Sequence, residues 1–164
     1  MENLKPAYWS SYPSSCGLSA LAAVTGLDTN KILKDVRKFD KYVCTEGYGM
    51  FMEDAARFLY KKGYKISVLH EGKVSTIAER IKEKKAVLAI RVDPNLKLPP
   101  GQTVHAIAVG NNQICENNWV FPTPIEPWLK YNPWKSEKVI AGIIIEDEPN
   151  PIRRILNNIF GIGR

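Results

Sequence analysis

The sequence predicts an α+β domain in which N-terminal helices pack on a mainly antiparallel sheet, and three observations carry that prediction. Helical spacing of apolar residues dominates from Cys16 to Lys62. Strand-like alternation and short apolar runs dominate from Tyr64 to Asp147. Between them, VHAIAVGNNQICENNW (Val104 to Trp119) reads as a β-hairpin around turn-forming Gly110-Asn111-Asn112. Helices first and sheet second is the α+β order.

The first helix is expected to begin at Ser14-Ser15, with a serine N-cap, and to stop at Gly26. Leu18, Leu21, Ala22 and Thr25 form its buried stripe. A second helix should start at Thr29 as cap, with Ile32, Leu33, Val36 and Phe39 inward. A loop from Asp40 to Gly49 holds Cys44, and a third helix spans about Met50 to Lys62 with Met52, Ala55, Ala56 and Leu59 inward. Tyr64 to Leu69 is a strand. Ser75 is expected to cap a short helix through Lys84, with Ile77 and Ile81 inward, and Ala86 to Val92 is a buried strand. The proline-rich stretch Asp93 to Thr103 is a loop leading into His105, a natural rim for a site. Val120 to Lys135, with four prolines and two tryptophans, reads as irregular structure on the sheet edge, and Val139 to Asp147 as a last strand.

Composition sets limits. At 164 residues, 45% apolar and 24% charged, the chain has room for one domain with a substantial core, placed at residues 1–149. No stretch approaches the roughly 18–20 apolar residues of a membrane span, and MENLKPAYWSS lacks the regions of a secretory signal. The expected location is therefore intracellular or virion-borne. Cys16, Cys44 and Cys115 are far apart in sequence, with no zinc-type spacing, and are expected to be thiols. The net charge of +6 comes from lysines on polar helix faces with acids interspersed, in KILKDVRK, LYKKGYK and RIKEKK, so no nucleic-acid partner is expected.

Two residues carry the chemistry. Cys16 falls in the first turn of a helix, where free backbone N–H groups and the helix dipole favour an anion. A buried, inert cysteine would occupy the same position just as readily. His105 shares a strand face with Ile107 and Val109. With a three-residue loop it lies opposite Asn117; with a two-residue loop it lies opposite Asn118. A carboxamide there would steer the imidazole, and a steered histidine serves a nucleophile. His70 follows a strand in a turn-like His-Glu-Gly and is expected to be exposed.

HAIAVG followed by ENNW resembles the histidine strand and the Asn-Ser-Trp strand of papain-like cysteine peptidases. SSCGLSALAAVTG is closer to the bacteriocin-processing (double-glycine leader) peptidases, and the order of elements from about residue 10 to 147 is similar to that group. The resemblance implies a papain-like fold and a Cys16, His105, Asn117 triad with Trp119 shielding the His–Asn bond. It implies acyl transfer on a peptide or protein substrate, with no metal or organic cofactor. Relatives commonly carry an oxyanion-donating glutamine six residues before the nucleophile; this chain has Ser10, so Ser10, Tyr12 or the Cys16 backbone N–H must substitute. The double-glycine group usually orients its histidine with aspartate, where the resemblance places an asparagine here. An inactive descendant used for binding, as part of a larger assembly, is the alternative; a transglutaminase or acetyltransferase would use the same residues.

Residues 150–164 lie outside the resemblance. Ile152, Ile155, Leu156, Ile159 and Phe160 make one helical face and Arg153 and Arg154 the other, a basic amphipathic tail. It is expected to dock on its own domain first, and on a protein partner or membrane surface second.

Overall fold

The computed structural model describes residues 3–6, 14–98, 102–117 and 119–149, with the backbone alone at Trp119 and Val120. The tail at 150–164, Ser10 and Tyr12 lie outside the described residues. Among the described residues, five helices and seven strands follow in the order α1 (Cys16–Thr25), α2 (Thr29–Val36), α3 (Met52–Lys61), β1 (Lys65–Leu69), β2 (Gly72–Lys73), α4 (Val74–Ile81), β3 (Lys85–Arg91), β4 (Val104–Gly110), β5 (Gln113–Glu116), β6 (Trp119–Pro124), α5 (Ile125–Tyr131) and β7 (Lys138–Asp147). The strands form one sheet in the order β1-β7-β3-β4-β5-β6, with β2 added beside β7, and each recorded strand pair is antiparallel. This is the expected mixed α+β architecture.

Alternation along the central strands splits the core into two layers. Val87, Ala106, Ala108, Cys115, Ile143 and Ile145 face α1, α2 and α3. Leu88, Ile90, Ile107, Val109, Ile114 and Ile144 face α4 and α5. Small residues on β4 let α1 lie close, and α1 is itself buried on nearly every side. It ends at Gly26 in the left-handed region (φ 68°), whose N–H closes on the Ala22 carbonyl.

Several boundaries move for physical reasons. Asp28, not Thr29, caps α2: its carboxylate accepts from the N–H groups of Asn30 and Lys31. Ser15 precedes α1 without a side-chain cap bond. Ser75 sits inside α4 and its hydroxyl donates to Glu137 at 2.7 Å. The stretch expected to be irregular forms β6 and α5. Pro122 and Pro124 are tolerated because β6 is the edge strand, and Pro127 because it falls in the first turn of α5, where its missing N–H would be unbonded anyway. No helix of the described residues is long and apolar enough to cross a membrane.

Candidate functional site

The β4–β5 hairpin sets the geometry. Its loop is the two-residue one: Asn111 (φ 50°) and Asn112 (φ 57°) both take the left-handed backbone of a type I′ turn, which asparagine accepts readily. Gly110 therefore pairs with Gln113, Val109 with Ile114 and Ala108 with Cys115. That register places Glu116 on the face of Val109, Ile107 and His105, and turns Asn117 to the opposite face. The expectation that Asn117 orients His105 is corrected accordingly. His105 Nε2 donates to Glu116 Oε2, while the Asn117 Oδ1 is buried with no hydrogen-bond partner among the described residues.

Glu116 is fully buried and accepts three hydrogen bonds. Besides His105, the indole N–H groups of Trp128 (3.1 Å, from α5) and Trp134 (2.7 Å) donate to it. Burial alone would raise its pKa; the His105 hydrogen bond and charge, with the two indoles, outweigh that and hold the carboxyl below its usual range. Trp134 also stacks on the imidazole, centroids 3.9 Å apart and planes 25° from parallel. The Asp93 N–H donates to the Trp134 carbonyl at 3.1 Å, so the start of the 93–103 loop fixes this tryptophan over the ring. Trp119, expected as the shield, lies in β6 with its side chain outside the described atoms. The indole covering His105 belongs to Trp134.

The recorded β4–β5 pairing stops at Ala108 and Cys115. At this open end the first turn of α1 meets β4. The Cys16 sulfur stands beside His105, and the backbone N–H groups of Gly17 and Ala106 lie near enough to favour its thiolate. Burial opposes the Cys16 thiolate, but the hydrogen bond and charge of His105, with those two amides, bring its pKa below the ordinary thiol value. Burial likewise opposes the imidazolium, yet Cys16 and Glu116 on either side push His105 up to about 9. With Nε2 committed to Glu116, Nδ1 is the nitrogen left for the thiol. It is buried beside the thiol and forms no full hydrogen bond to any described residue. Gly17, next to the nucleophile, has no spare room: a Cβ there would lie 3.1 Å from Met50 Cβ, which keeps the 49–51 segment against the turn.

Sequence reading thus placed Cys16 and His105 together correctly in space, and missed Glu116, Trp128 and Trp134. The Asn-Asn dipeptide was the available signal, because a type I′ loop fixes the register that selects Glu116. His70 is exposed, as expected. Cys16, Cys44 and Cys115 form no disulfide. Among the described residues no cluster of three or more His, Cys, Asp or Glu side chains could hold a metal ion. Compared with known families and curated proteins, the chain matches no family model and no curated sequence.

Proposed function

We propose that this chain is a papain-like cysteine hydrolase that cleaves an amide bond in a peptide or protein, using Cys16, His105 and Glu116. The observation that carries this reading is the ordered line of groups from a buried carboxylate, through an imidazole bonded by one nitrogen only, to a thiol in the first turn of a helix. The lowered Cys16 pKa and the raised His105 pKa both favour the thiolate–imidazolium form of the pair. The Cys16 thiolate attacks the substrate carbonyl carbon, and the Cys16 backbone N–H is the donor on hand for the oxyanion. His105 Nδ1–H then protonates the leaving amine. Water attacks the resulting thioester, returns a proton to Nδ1, and the thiolate leaves. Glu116 holds the ring in place and stabilises its positive charge throughout, the task the sequence reading gave to Asn117.

The test uses the small electrophile iodoacetamide. Cys16 is expected to be alkylated selectively at pH 6–7, well before Cys44 and Cys115, and Cys16→Ala should remove that labelling. Labelling of Cys16 no faster than that of the two buried thiols would defeat the proposal. Product analysis with candidate peptides then separates hydrolysis from transfer to an amine, and lack of any turnover by folded, unlabelled protein whose Cys16 is open to alkylation would favour the inactive, binding alternative.

A further inference from the structure

A second thiol lies against the nucleophile's own turn. Cys44 is buried in the 40–49 loop, in the left-handed region at φ 57°, and its Sγ is 3.9 Å from the carbonyl oxygen of Ser14, two residues before Cys16. Cys16 packs against the same core cluster as Cys44. The loop is held there at its middle and its far end: Arg37 donates to the Val43 and Cys44 carbonyls, and Gly49 sits close enough that a Cβ on it would be 3.6 Å from the Ser14 oxygen. Nothing in the hydrolytic cycle uses Cys44. The geometry points to Cys44 as a resolving thiol: when hydrogen peroxide oxidises Cys16, Cys44 closes on it to form a disulfide that masks the nucleophile and is reopened by thiols. This rests on the hydrolase reading only in requiring Cys16 to be a thiolate.

The chemistry balances with peroxide as the oxidant. The Cys16 thiolate attacks one peroxide oxygen, the O–O bond breaks, and Cys16 becomes a sulfenic acid with release of hydroxide, which takes the proton of the neighbouring His105 imidazolium and leaves as water. Cys44 sulfur then attacks the Cys16 sulfur; the S–S bond forms, the S–O bond breaks, and the departing hydroxide takes up the Cys44 proton as water. Two thiols have lost two electrons and two protons, and the peroxide has become two waters. In the reduced protein Cys44 is a poor nucleophile, pushed up to about 11 by burial and by the neighbouring Cys16 charge. Burial still opposes the Cys44 thiolate after Cys16 is oxidised, but the Cys16 charge that also opposed it is gone while Arg37 continues to favour it. Forming the bond requires the Cys44 side chain to leave the Ser14 carbonyl and the 40–49 loop to bring the two Cα atoms within the roughly 7 Å that a disulfide spans. Cys115, by contrast, is directed at the Lys5 carbonyl at 3.6 Å and serves as an internal control.

The experiment treats the reduced full chain with hydrogen peroxide, blocks remaining thiols, and maps peptides by mass spectrometry without reductant. A Cys16–Cys44 linked peptide is expected. Iodoacetamide labelling of Cys16 should be lost on oxidation and fully recovered after dithiothreitol. In Cys44→Ser and Cys44→Ala, Cys16 should proceed to sulfinic acid and labelling should not recover; Cys115→Ser should behave as wild type. Wild-type protein that forms Cys16 sulfinic acid without a linked peptide overturns the proposal, as does equal recovery in the Cys44 variants. If reduced Cys16 fails to label at all, the hydrolase reading falls alone when peroxide still yields the linked peptide, and both fall when it does not.

Discussion

Glu116 and Glu146 each accept from a cation and at least one neutral donor, and both carboxyls are held below their usual pKa, yet the two sites differ in kind. Glu116 is fully buried, faces His105, and is walled by two tryptophans. For Glu146, on β7, the Lys84 and Ser67 hydrogen bonds lead, and its partner Lys84 remains 43% exposed. A carboxylate kept at an exposed pair costs little and contributes little. A carboxylate kept dry beside an imidazole tolerates the loss of none of its partners, because each removed donor leaves a charge in a medium that cannot solvate it. The difference marks Glu116 as the one whose protonation state the rest of the site depends on.

Glu116→Gln breaks this contrast with the largest effect. The amide preserves shape and removes the charge, so the imidazolium loses a major support. Amide hydrolysis should fall by on the order of 10²- to 10⁴-fold, and the alkaline limb of the rate profile, set near 9 by His105 in the wild type, should move to lower pH. The stability profile follows the same sign. A histidine pKa raised from 6.5 to about 9 stabilises the fold fully below the unfolded value and loses that contribution as pH rises through about 9. Urea melts at pH 6 and pH 9.5 should therefore converge in Glu116→Gln relative to wild type. An unchanged profile would remove Glu116 from the site.

Trp134→Phe should come next. The substitution keeps a ring to stack on His105 and deletes the 2.7 Å N–H donor to Glu116. Loss of a hydrogen bond to a buried charge is expected to cost about 1.5–3 kcal/mol of stability, read from chemical denaturation. Because Trp128 and His105 still hold the carboxylate, activity should fall by less than in Glu116→Gln.

How much of this was legible in the sequence follows from the kind of signal each part leaves. The helix start at Cys16, the His105 strand and β7 are written in local periodicity, and they fall where the pattern puts them. The partner of His105 is written in register, where a single residue in the hairpin loop exchanges Glu116 for Asn117. Trp128 and Trp134 lay in a stretch whose prolines suppress both helix and strand signals, although edge pairing and a helix first turn accommodate them. Their convergence on Glu116 is a tertiary fact with no local trace.

Asn117→Ala sharpens that point with a smaller effect. If the two-residue loop sets the register, the carboxamide faces away from His105, and rates and pH limbs should stay within about fivefold of wild type, under 1.4 kcal/mol by the transition-state relation. A loss matching that of Glu116→Gln would restore the three-residue loop and the Asn117 triad.

Glu146→Gln should do least. Its partner Lys84 sits in the turn after α4, and the half-buried pair joins that turn to β7. Removing the charge leaves an amide able to accept from Ser67 and leaves the lysine in water, so no buried group is orphaned. The thermal midpoint in low salt should be indistinguishable from wild type, and Cys16 labelling should keep its rate and pH dependence. A Glu146→Gln variant that lost labelling would mean the β7 side of the sheet communicates with the β4–β5 end through the strands between them. Dependence on the site would then reach beyond the His105, Trp128 and Trp134 shell, and the contrast between the two carboxylates would have to be redrawn as one of degree.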